Sequence, residues 1–313
     1  MINKINKMPT ALTGLALGVG GIFNAWTIFT GKKYFAYIGA LISSVLILTI
    51  ITKIFSSFKA FIKDLEHPVT GSTIPTLDMA IMVISSSVVQ FIRPLGIAMW
   101  LTAIVIHTIF AITFIAHRIN LRDRHNMVPS WFVPPIGIVV ASVSGSAMGF
   151  PTLSQYIVYI GMVIYIIMFP FIFYRIIFHE PLAEDKFPAF AVMGAPANLC
   201  LCGYLTAFQT YNTAILNLFL ALGLITTFKV YLSLIKAFRI KFIPLFAAYT
   251  FPLAIGAQAL LKFANYSKSM GGEYYYIWRY VAIIELIIAS LMILYVFLNM
   301  MSFIHFNVIK DKE

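Results

Sequence analysis

Ten apolar stretches follow one another with short connections across almost the whole 313-residue chain, and a proline recurs near the start of every second one. The recurring prolines are Pro9, Pro75, Pro134, Pro188 and Pro244, 54–66 residues apart. A helix needs about 20 apolar residues to cross a bilayer. A repeat of this length therefore has room for two crossings and describes a helical hairpin used five times. The spacing predicts spans at 9–30, 34–56, 74–91, 94–117, 130–147, 151–178, 187–209, 211–235, 242–264 and 276–306. Only 11% of residues are charged and 61% are hydrophobic, whereas a soluble domain carries roughly 25% charged residues. Most of the surface must then face lipid. Residues 1–313 read as a single transmembrane domain with no soluble domain left over. The opening MINKINKM runs into apolar sequence without a small-residue cleavage site, so it reads as the lead-in to the first span rather than a removable signal.

The net charge of +11 is explained by topology, not by nucleic acid. With these spans, 16 of the 22 Lys and Arg residues fall on one side and six on the other, Lys32, Lys33, Arg93, Lys262, Lys268 and Arg279. Basic loops stay in the cytoplasm. Both termini are thus expected there, and an even number of spans requires them to share a side. The localisation this implies is multi-pass, in a bacterial-type inner (plasma) membrane. Cys200 and Cys202 stand on one apolar helix facing different ways, unsuited to a disulfide and too few for a metal site.

Odd and even spans differ in character. Thr10, Thr13, Gly14, Gly18 and Asn24 lie in the first, Asp78 and Ser85–Ser87 in the third, and Ser142, Ser144 and Ser146 in the fifth. Asn198 lies in the seventh, with Thr250 and Gln258 in the ninth. The even spans are largely Ile, Leu, Val, Phe and Tyr. This alternation predicts an all-α integral membrane protein of ten helices, five hairpins in quasi-five-fold arrangement with the odd helices lining a central pore. A proline near a helix start is tolerated because its missing N–H would be unpaired anyway. Pro196 and Pro252 sit deeper and are expected to kink or open the seventh and ninth helices.

The stretches PTALTGLALGVGGIFNAW (9–26) and AYTFPLAIGAQAL (248–260) resemble the first and ninth helices of the tellurite-resistance/dicarboxylate transporter family, which includes the plant guard-cell slow anion channels. The tetrad from Tyr249 to Pro252 is the most specific part. The resemblance implies ten helices, a homotrimer with one pore per protomer, and a pore blocked by the phenylalanine before the ninth-helix proline, here Phe251. Counting seven residues from each repeat proline puts Ala16, Met82, Ala141 and Ala195 at the positions equivalent to Phe251. One large ring facing mostly small side chains could fill such a bore alone. The remaining candidate pore-lining residues are Thr13, Ser85, Ser144, Asn198 and Thr250.

Asp78 is the carboxylate of the odd spans and is expected to cap a helix or anchor a loop. His107 and Glu285 lie deep in even spans and are expected to bond a neighbouring helix or meet a subunit interface. The bore then looks uncharged at its centre and polar through hydroxyls and amides, a lining for small monovalent anions such as chloride or nitrate, with no acidic ring for a cation filter. A passive anion channel is the first expectation. Secondary transport of dicarboxylates such as malate, or tellurite or sulfite efflux, is the alternative the same resemblance carries. Enzyme activity is not expected: there is no HExxH, GxSxG or glycine-rich phosphate loop, and no cofactor or metal is implied. The cluster of His117, Asp123 and His125 in HRINLRDRH is read as a basic loop, its arginines repelling a metal, and HEPLAED (179–185) as an acidic loop.

Overall fold

Proline placement decides how these apolar segments wind. The computed structural model describes residues 2–120 and 127–309, and all regular structure among them is helical. Ten principal segments follow in order: Leu12–Thr30, Tyr34–Ser56, Thr76–Val88, Arg93–Asn120, Pro129–Ala147, Pro151–Phe178, Phe187–Ala207, Thr213–Ala237, Pro244–Ser269 and Tyr275–Ile304. Nine of them are long and apolar enough to cross a membrane; the third, with 13 residues, falls short. Its shortness comes from Pro75. That residue interrupts the hydrogen-bond ladder between the short helix Thr70–Thr73 and the third segment, yet Ile74 and Pro75 both keep right-handed helical angles. The chain therefore keeps a helical course through the Ile74–Pro75 turn. The loop cluster of Asp123 and His125 lies outside the described residues.

In the seventh and ninth segments the prolines produce a change of winding. A 3-10 run over Phe187–Gly194 gives way to α-helix at Pro196, and another over Pro244–Tyr249 gives way to α-helix at Thr250. Pro196 and Pro252 therefore occupy the first turn of an α-helical half, where an absent N–H costs nothing. The fifth segment is built from alternating α and 3-10 turns around Pro134 and Pro135. Long 3-10 stretches are uncommon because their hydrogen-bond geometry is poorer than that of the α-helix.

Burial follows the alternation in composition. The apolar stretches of the first, fifth, seventh and ninth segments are 61%, 78%, 83% and 83% buried, whereas those of the even segments are 22–39% buried. Ten of the 13 residues of the third segment are buried. The even segments carry most of the exposed Leu, Ile, Val, Phe and Tyr side chains, an apolar belt that would be untenable in water. Each odd segment packs on the even one that follows it. The odd segments also pack on one another in a closed ring, first on third, third on fifth, fifth on seventh, seventh on ninth and ninth on first.

Small residues set the closeness of that ring. A Cβ on Gly18 would run into the Thr250 side chain, and one on Gly21 would lie 3.2 Å from Ala254 Cβ. The two helices are stitched together by Thr250 Oγ1, which donates to the Gly14 carbonyl at 3.0 Å, and by Gln258 Nε2, which donates to the Gly21 carbonyl at 2.9 Å. Close backbone approach through small residues is the usual means of helix association in lipid, where no hydrophobic drive separates helix from solvent. A further short helix, Phe58–Glu66, has Phe58, Phe61, Ile62 and Leu65 on one side and Lys59, Lys63, Asp64 and Glu66 among its polar residues. Its Asp64 accepts from Thr10 at 2.8 Å and from Lys53 at 3.3 Å, which ties it to the proline ends of the inner segments.

Candidate functional site

An i, i+3/i+4, i+7 stripe on a helix lies on one face, and such stripes of the odd segments meet along a common line. On the third segment the stripe is Thr76, Met79, Val83 and Ser86, continued by Gln90 in the turn after it; on the ninth it is Ala248, Phe251, Ile255, Gln258 and Lys262. Three cavities follow one another along this line. At the proline ends lies a mouth of about 390 Å3 lined by Thr10, Lys53, Asp64, His67, Asp185 and Lys186 among others. Next comes a waist of about 50 Å3 to which all five odd segments contribute, through Gly14, Met79, Ile136, Ala195 and Phe251 among others. Beyond it lies a vestibule of about 190 Å3 lined by Asn24, Ser86, Gln90, Ser144, Gln258 and Lys262, with Phe251 again at its floor. Mouth and waist share Ala11, Thr73 and Leu245. Waist and vestibule share Phe251. The ring is 7% exposed and stands between them.

The expected lining residues divide. Ala195 lines the waist and Ser144 the vestibule. Ala16, Met82 and Ala141 are fully buried and line neither. Thr13 is spent on its neighbours, donating to the Thr10 carbonyl and accepting from Thr76 at 2.7 Å. Ser85 donates to the Met82 carbonyl of its own helix. Thr250 bonds Gly14 and Ala247. Asn198 turns outward, donating at 2.8 Å both to the Gly194 carbonyl and to Thr227 Oγ1 of the eighth segment. The cause is helical phase. Seven α-helical residues turn through nearly two full revolutions, whereas 3-10 residues turn further per step. Counting seven from the proline lands inward only where 3-10 turns intervene, at Ala195 and Phe251. On the purely α-helical third segment, Met79 and Val83 face inward instead. The period of the stripe, read within each helix, is the signal that would have found them.

Asp78 does not cap its helix. Its carboxylate pairs with Nδ1 of His107 on the fourth segment, and both side chains are fully excluded from solvent. Among the described residues, Asp78 Oδ1 and His107 Nε2 have no hydrogen-bond partner. The His107 ring lies against Gly137, where a Cβ would sit 2.8 Å from its Cε1, and Gly137 itself lines the waist. His107 thus bonds a neighbouring helix as expected. Glu285 packs against Gly256 of the ninth segment, its Oε2 3.1 Å from the position of a Cβ there. Cys200 and Cys202 are buried free thiols. In the acidic loop, Arg175 donates to the Glu180 carbonyl at 2.9 Å, and Asp185 lines the mouth. No cluster of three or more metal-ligating side chains occurs among the described residues.

At the mouth, Lys53 Nζ is held by the Met8 carbonyl and Thr10 Oγ1, both at 3.0 Å, as well as by Asp64. Its charge is thereby compensated within the protein.

The sequence model of a family described as voltage-dependent anion channel, SLAC1, matches residues 7–301. An uncharacterized transporter of Methanocaldococcus jannaschii is 25% identical over 144 residues, which is 42% of this chain and 42% of that protein's length.

Proposed function

The chain belongs to the SLAC1 family of voltage-dependent anion channels, and from that premise we propose that it passes small monovalent anions, chloride and nitrate among them, through the line of cavities between its odd helices, with Phe251 as the gate. One observation carries the reading. A single aromatic ring stands between an apolar waist, to which five helices contribute, and a polar vestibule. Hydrophobic constrictions gate by excluding water, and with it the ion's hydration shell. Rotation of the Phe251 ring joins the two chambers.

The membrane crossings in this reading number ten, the third being completed by the helical run from Thr70 through Val89 across Pro75. The closed packing of odd segments on one another supports a quasi-five-fold ring of inner helices. In this reading both termini lie in the cytoplasm and the protein in the cell membrane, which ten crossings and the distribution of Lys and Arg support. The resemblance of the first and ninth helices supports assembly as a homotrimer in this reading, and chemical cross-linking of the protein in membranes tests it.

Recording purified protein in planar bilayers under a salt gradient tests the gate. Phe251→Ala carries more anion current than wild type, with a reversal potential near that of the anion. A variant that conducts no more anion than wild type removes Phe251 as gate. The buried Asp78–His107 pair behind the waist favours a second reading, a proton-coupled carrier of dicarboxylates such as malate, or of tellurite or sulfite. Saturable malate uptake into liposomes driven by a pH gradient would establish that carrier; ohmic chloride or nitrate flux establishes the channel.

A further inference from the structure

The polar lining of the outer vestibule does not select anions by itself. Thr27, Ser86 and Ser144 each donate the hydroxyl hydrogen to a carbonyl of their own helix, to Phe23, Val83 and Val140. Gln258 spends an amide hydrogen on Gly21. Their hydrogens are spent within the helices, Ser144 also accepts from Trp100 Nε1 at 3.2 Å, and the remaining polar groups, Asn24 and Gln90 among them, are neutral donors and acceptors of both kinds. The sign of the passing ion must be set by something else.

Lys262 is placed to set it. It stands on the same helical face as Phe251, three turns further along, and lines both the vestibule and the wider funnel of about 410 Å3 outside it. Its ammonium donates to Thr206 Oγ1 at 2.6 Å, and Thr206 in turn donates to the Cys202 carbonyl. One of three N–H groups is accounted for by that bond, which also fixes where the charge sits. No carboxylate lines either chamber, and among the described residues no ion pair involves Lys262. Lys53 at the opposite mouth differs, because Asp64 neutralises it. A half-buried cation without a fixed counter-ion draws a mobile one.

We infer that Lys262 is the outer anion-binding site of the pathway, holding a small, partly hydrated monovalent anion above the Phe251 ring and supplying the charge selectivity that the otherwise neutral lining lacks. The inference rests on the conduction pathway proposed above. An ammonium is a compact, strongly hydrated charge with rotatable donors, suited to a halide or nitrate that must be released again, unlike the planar fork of arginine that grips diacids and phosphates bidentately.

The test uses the full-length protein with Phe251→Ala as the conducting background, compared with the same background carrying Lys262→Gln or Lys262→Arg. In dilute KCl, Lys262→Gln lowers anion conductance about tenfold, the scale of one unit charge at contact range in a half-wet cavity. The loss shrinks at about 1 M salt, where the Debye length falls to roughly 3 Å. The reversal potential under a KCl gradient moves towards zero, and Lys262→Arg retains most of the selectivity. An unchanged reversal potential and salt dependence in Lys262→Gln overturns the site while leaving the channel intact. A second readout is independent of conduction. Chloride titration in detergent raises the melting temperature of wild type by mass action and does so less for Lys262→Gln; equal shifts in the two proteins overturn the site. A background that binds chloride through Lys262 but passes none refutes the channel and keeps the site.

Discussion

Truncation of Phe251 separates a gate from an ordinary core aromatic because the two predict opposite pairs of outcomes. Removing a phenylalanine side chain from a filled core costs about 3–5 kcal/mol, the lost contacts plus the cavity left behind. Phe219, 2% exposed and packed against Tyr165, is such a ring. Phe251 is also nearly excluded from solvent, but it borders a cavity of about 50 Å3 on one side and one of about 190 Å3 on the other. A ring that borders two cavities makes fewer dispersion contacts than one packed on every side. Phe251→Ala should therefore cost about 2 kcal/mol, below the usual range for a buried ring. Equilibrium unfolding in mixed micelles, run on Phe251→Ala and Phe219→Ala in parallel, gives the comparison. The conduction assay then supplies the second axis: Phe251→Ala gains current, Phe251→Leu gains less, and Phe219→Ala gains none. If Phe251→Ala is as destabilised as Phe219→Ala and gains no current, the ring is core and the two-chamber argument is wrong.

Asp78→Leu leaves the buried His107 ring without its hydrogen-bond partner and should cost about 1–3 kcal/mol in the same unfolding assay, whereas replacing both residues by apolar ones of similar size should cost less; a single substitution without effect would mean the pair does not hold the third and fourth helices together. Gly14→Ala should be tolerated, since its Cβ would meet Ala247 Cβ at an ordinary 3.6 Å, while Gly18→Ala drives a methyl into Thr250 and should abolish recovery of folded protein from detergent extracts. Equal yields of the two would show that the first and ninth helices can separate. Because Cys200 and Cys202 are fully buried, single exposed cysteines report topology: an impermeant maleimide added to intact cells should label Gly271→Cys and spare Lys59→Cys, and the reverse pattern inverts the proposed orientation.

The parts of this fold legible in sequence are those that depend on composition alone. Apolar run length and the polar bias of alternate runs locate ten segments to within a few residues, and the burial of the odd ones follows because glycine, serine and threonine cannot gain by facing lipid. What the sequence did not yield depends on winding. Met82 and Ala141 were expected to face inward by counting from the repeat proline, but Met79, Val83 and Val140 do so instead, because the 3-10 turns that rotate Ala195 and Phe251 inward are missing from the third segment and only partial in the fifth. Asp78 looked like a cap because its depth was judged along one helix. Its partner His107 lies 29 residues away on another, and pairing across helices leaves no local mark. The Phe58–Glu66 helix is hard to read from sequence for a related reason, since nine residues with four charges resemble a loop until their apolar face finds an interface.

The waist bears on the choice between channel and carrier. A carrier must enclose its substrate between two barriers that never open together, so it needs a chamber at least as large as the substrate with a closure on either side. Here the mouth and the vestibule are the roomy chambers, and the waist between them is about 50 Å3. A water needs roughly 10–15 Å3 on that measure, so the waist has room for only a few waters and far too little for malate. Phe251 lines both the waist and the vestibule, and Ala11, Thr73 and Leu245 line both the waist and the mouth. The proposed gate, a narrow waist between two larger chambers, fits a pore better than a carrier that must enclose malate. The buried Asp78–His107 pair does not reverse this, because His107 lies behind Gly137 with no exposure to the waist. Malate exchange between liposome populations should therefore be absent from wild type, while chloride flux through Phe251→Ala should rise linearly with driving force. Malate exchange that saturates and survives Phe251→Ala would mean that a second, larger enclosed state exists and that the waist described here is its collapsed form.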